Sequence, residues 1–113
     1  DAMDLAGRVL LAALFVAGAV QKALDPAPAQ ALLAGIGLPE GLVWPALALN
    51  AVLAVGLLWP RHVRRAALIA ALYCAATSVF HFQPDDGWQM SIFVKNWAIA
   101  GGLLVLAADR KTT

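Results

Sequence analysis

Four runs of apolar residues, each about as long as a bilayer is thick, constrain this chain more than any motif in it. They lie near 5–24, 42–59, 63–82 and 88–108, and a helix needs about 20 residues to cross the hydrocarbon core. Of 113 residues, 62% are hydrophobic and 13% charged. A soluble domain of this size needs far more polar material to cover its surface. The expectation is an all-α integral membrane protein: a single four-helix transmembrane bundle over 1–113, with a short interfacial helix between the first and second spans.

Taken in order, the first span is apolar or small from Val9 to Val20, with Arg8 and Lys22 toward its ends. Both side chains are long enough to snorkel to opposite interfaces, roughly 21 Å apart along the axis. No small-residue cleavage site follows it, so it reads as a retained helix rather than a signal peptide. Asp25-Pro26 ends it, because proline disfavours helical geometry in the residue before it. Residues 27–37 are too few to span and suit a surface-lying helix. The second span tolerates Pro45 in its first turn and carries one strongly polar residue, Asn50. A basic turn containing Arg61, His62, Arg64 and Arg65 follows. In the third span Ala67, Ala71 and Ala75 make a small-residue ridge suited to close packing, while Tyr73, Thr77 and His81 share another stripe. Pro84 and Gly87 punctuate the next turn, and Asp109-Arg110-Lys111 closes the last span.

Four crossings put both termini and the basic turn on one side. That side holds Arg8, Arg61, Arg64, Arg65, Arg110 and Lys111, six of the eight basic residues. The positive-inside rule makes it the cytoplasmic side, and Arg61, Arg64 and Arg65 are topology signals and contacts for anionic lipid head groups. A net charge of +1 with no longer basic stripe leaves no footprint for a nucleic-acid partner.

The polar residues left over gather toward the opposite side, facing a periplasm or extracellular space: Lys22, His81, Lys95 and Asn96, with Gln21, Gln89 and Ser91. Lys95 lies about two turns inside its span, where an ionisable group is costly unless it finds a partner, water or a ligand. Two readings follow. Lys95 pairs with Asp85 or Asp86 and Asn96 bonds to another helix, as structural glue; or the cluster binds a ligand such as a quinone, whose carbonyls need donors and whose tail needs apolar walls. Asn50, Tyr73 and Thr77 are polar intramembrane residues whose plainest use is contact between helices. His62 and His81 are roughly 28 Å apart along one helix and cannot bracket a haem. Two histidines with the lone Cys74 cannot close a structural zinc site, so no metal is expected. Every Asp and Glu falls at a span end or in a loop, which argues against exchange transport through a buried carboxylate.

The order Gly7-Arg8, Gly18, Gln21-Lys22, Asp25-Pro26, Gly37-Leu38-Pro39, Gly56-Leu57-Leu58, the basic turn, Lys95-Asn96 and Gly101-Gly102 resembles the DoxX family of small bacterial membrane proteins. The resemblance implies four membrane helices and a link to redox processes, in some members thiosulfate oxidation coupled to quinone and in others defence against oxidative stress. Such proteins often carry a glutamate in the middle of the second span, where this chain has Asn50. Together the residues and the resemblance point to an accessory subunit of a respiratory, photosynthetic or other redox membrane complex, more than to a stand-alone enzyme. The alternative is a self-contained quinone-linked oxidoreductase subunit of the thiosulfate:quinone type.

Overall fold

The computed structural model describes residues 1–110; Lys111, counted above among the basic residues of one side, lies outside them. The fold is all-α, with no strand among the described residues. Five α-helices form: α1 (Ala2–Leu24), α2 (Ala27–Gly35), α3 (Val43–Leu58), α4 (Val63–Thr77) and α5 (Gly87–Asp109). With the 3₁₀ turns that extend α3 and α4, four helical segments are long and apolar enough to cross a membrane, and α2 is the short helix expected between the first two. The chain divides into two compact units, Asp1–Pro60 and the part from Arg61 onward.

In the first unit α1 packs along α3. Asp1 caps α1, its carboxylate accepting from the Asp4 amide at 2.7 Å. On the opposite end, Asp25 leaves helical geometry before Pro26 and turns its side chain to the Ala27 amide, at the start of α2. After α2 the chain reverses in a Schellman turn: the Leu38 amide reaches back to Leu33 O and the Gly37 amide to Ala34 O. Gly37 takes the left-handed conformation there, with φ +78°. A 3₁₀ turn, Glu40–Leu42, then feeds α3. Along α1 the buried residues are Arg8, Ala12 and Phe15; along α3 they are Val43, Asn50, Leu53, Ala54 and Leu57. Both sets recur at three- and four-residue steps, as a helix seam requires.

In the second unit α4 packs along α5. The interior of α4 is almost all small: Ala66, Ala67, Ala70, Ala71 and Cys74 are buried, so backbones can approach closely. The expected ridge held at Ala67 and Ala71, but Ala75 is only half-buried, and the buried face widens toward Ala66, Ala70 and Cys74. From Ser78 to His81 the helix tightens into a 3₁₀ turn. There the Ser78 hydroxyl bonds Ala75 O at 2.6 Å. Asp86 then caps α5, its carboxylate accepting from the Trp88 and Gln89 amides.

Candidate functional site

Polar side chains inside an apolar helix pair must find partners, because the unmet group is costly in lipid. In the first unit Arg8 does not snorkel outward as its position near a span end had suggested. It is buried, pairs with Asp4 at 3.1 Å one turn earlier, and donates to Leu57 O of α3 at 3.2 Å. Leu57 is in the last turn of α3, where carbonyls lack helical donors. One guanidinium therefore neutralises an acid and satisfies a helix end. Asn50, equally buried, donates to Phe15 O of α1 at 3.4 Å. It fits because residue 18 is glycine: a Cβ there would collide with the Asn50 amide nitrogen. Lys22, one turn on, is half-buried, and its Nζ lies 3.7 Å from that same Cβ position. The ammonium thus turns back along α1 rather than out past its end, as helix geometry favours.

The second unit repeats the arginine device. Arg64, at the start of α4, donates to Ala107 O near the end of α5 at 2.7 Å, so this member of the basic turn is held in the helix pair, while Arg61 and Arg65 are exposed. His81 shares a 2.6 Å hydrogen bond with Gln89 Oε1 and so ties the end of the α4 segment to the first turn of α5. The Thr77 hydroxyl turns onto its own helix, at Tyr73 O, instead of crossing to a neighbour. Phe82, Phe93 and Trp97 form a ladder of ring contacts, with centroids 5.3 and 6.4 Å apart, and its two ends are exposed.

Lys95 and Asn96 remain. Neither takes the structural part expected of it. Asp86 is engaged in capping α5, and among the described residues Lys95 has no ion pair and Asn96 no side-chain hydrogen bond. Lys95 is exposed and Asn96 half-buried. Of the four residues expected to cluster, His81, Lys95 and Asn96 belong to the second unit and Lys22 to the first. Among the described residues no three His, Cys, Asp or Glu side chains converge as a metal site would need.

The DoxX family model matches residues 3–83. The chain belongs to the DoxX family. No curated protein and no solved structure matches it. The matched stretch takes in the first unit from Met3 onward and α4, so the Arg8 and Asn50 contacts lie inside the DoxX region and Lys95-Asn96 lies beyond it. One signal in the DoxX chain was overlooked. The pattern Asn-x-x-(Leu or Ile)-Ala-x-Gly-Leu-Leu occurs twice, at 50–58 and at 96–104. The equivalent Ala54 and Ala100, and Leu57 and Leu103, are buried in both copies. The asparagines differ: Asn50 is buried and bonded across its helix pair, whereas Asn96 is half-buried and makes no such bond among the described residues.

Proposed function

We propose that this DoxX-family membrane protein is an accessory subunit of a redox or electron-transport complex in the bacterial inner membrane, with both termini cytoplasmic. The observation that carries the reading is the use made of its interior polar groups. Arg8, Asn50 and Arg64 are bonded to backbone carbonyls of the paired helix, a use suited to scaffolding and not to chemistry. Extraction from native membranes in mild detergent, followed by mass spectrometry of the intact particle, tests it. The expected result is a stoichiometric assembly with other membrane subunits; a lone chain or homo-oligomer overturns it.

A second reading is favoured by the contrast between the two copies of the Asn pattern. In the second copy, Asn96 and the neighbouring Lys95 offer donors to a quinone carbonyl, beside the Phe93–Trp97 contact that suits a flat ring. In this reading the protein meets quinone itself, as a subunit of a quinone-linked oxidoreductase. His81, with one ring nitrogen held by Gln89, would take at most a neighbouring role. Lys95→Met is then expected to weaken quinone binding about tenfold, the worth of one bond to a charged donor. Unchanged affinity in the folded variant removes this reading.

A further inference from the structure

The two cations of the first helix pair stand on one stripe of α1. Arg8, Ala12 and Phe15 are buried on it, and Gly18 and Lys22 continue it at helical spacing. Arg8 closes one end with two partners, Asp4 and Leu57 O. Lys22 stands toward the other end, half-buried, and among the described residues its ammonium has neither hydrogen bond nor ion pair. The nearest acid along the chain, Asp25, is exposed and directs its carboxylate to the Ala27 amide. Lys22 also does not extend past the helix end. Its Nζ is folded back over Gly18, beside the notch filled by the buried Asn50 amide. A partly desolvated ammonium held in such a place without a counter-charge is costly. An oxyanion arriving there would relieve that cost.

We propose that Lys22, over the Gly18–Asn50 notch, is a binding site for a phosphate group. The ammonium supplies a charge-assisted donor. Gly18 supplies the room, since any side chain there would displace Asn50. The Asn50 amide, unlike a carboxylate, leaves the lysine's charge uncompensated. The apolar seam on either side suits a phosphate carried by a lipid, and the same donor would take a free phosphate. This site does not depend on quinone binding at Lys95, nor on membership of a larger complex.

The test uses the full chain in dodecyl maltoside micelles, which carry no phosphate, with helical content by circular dichroism as the check on folding. Phosphatidylglycerol is titrated into the micelles and, separately, inorganic phosphate into the buffer; native mass spectrometry counts retained lipid and thermal unfolding reads protection. The wild-type chain is expected to retain one phosphatidylglycerol. Lys22→Met should weaken retention about tenfold, and Lys22→Arg should keep it. Asn50→Asp, which sets a carboxylate within reach of the ammonium, should weaken it as well. Protection by phosphatidylglycerol alone makes the source a lipid headgroup; protection by inorganic phosphate that Lys22→Met abolishes makes it a free anion. Equal response of wild type and Lys22→Met to both additions overturns the site. If Lys22→Met does not fold, undiminished retention by Asn50→Asp overturns it instead.

Discussion

At Gly18 a single absent methyl group decides how two helices meet. A Cβ on residue 18 would collide with the Asn50 amide nitrogen and come within 3.4 Å of its Cγ. Gly18→Ala must therefore push the amide out of its bond to Phe15 O or part the helices. Either is expected to lower stability in detergent by about 1–3 kcal/mol, the usual penalty for overpacking. Asn50→Ala alone should lose less, about 0.6–2 kcal/mol, because bonds between membrane helices are individually modest. The double variant is the sharper measurement: with the amide gone the new methyl meets no obstacle, so the two losses should fall short of adding. Additive losses would mean that the notch is not what sets the contact. None of this was legible in the sequence. Gly18 and Asn50 are 32 positions apart, and only the register of α1 against α3 brings them together. Asn50 stood out because it was the one strongly polar residue in an apolar run; its partner had no such mark. Arg8 misled for a related reason. A cation near a span end invites a snorkelling interpretation, and the sequence does not display the Leu57 carbonyl that draws it inward.

At the scale of elements, local chemistry fixed nearly everything, and the expected boundaries agree with the observed helices to within a few residues. Asp25-Pro26 and the glycines at 35 and 37 punctuate the chain by their own conformational preferences, so the first turns were readable without tertiary information. Two substitutions examine that statement. Gly37→Ala puts a Cβ on a residue with φ +78° and should cost about 1 kcal/mol through the left-handed strain alone, since nothing else lies near that position. Asp86→Ala removes the acceptor for two amides at the start of α5. It is expected to cost about 1 kcal/mol and to fray the first turn, seen as faster hydrogen exchange at Trp88 and Gln89. What the local code did not announce was the tightening at Ser78–His81. A run of apolar and small residues continues a helix in either α or 3₁₀ form, and the choice there accompanies hydroxyl bonds to backbone carbonyls from Thr77 and Ser78.

The whole molecule is two helix pairs, and each is closed in the same manner: an arginine near the start of the first helix donates to a carbonyl in the last turns of the second. The duplicated Asn…Gly-Leu-Leu pattern lies on the second helix of each pair, with its alanine and second-last leucine buried both times. A pair built this way carries its own seam, its own polar latch and its own helix caps, so its stability should be largely its own. Residues 1–60 expressed alone are therefore expected to insert as a helical hairpin and to keep their helical content in detergent. Their unfolding transition should fall on Gly18→Ala and again on Arg8→Met, which removes both the Asp4 pair and the donor to Leu57 O. The Arg8 loss should be the larger, because it breaks the ion pair with Asp4 and also takes the donor from a helix end. A hairpin that is helical yet indifferent to both substitutions would show that α1 and α3 do not pair through this seam when separated from the rest. A hairpin that responds to both would make the helix pair, rather than the four spans together, the unit in which this DoxX chain stores its stability.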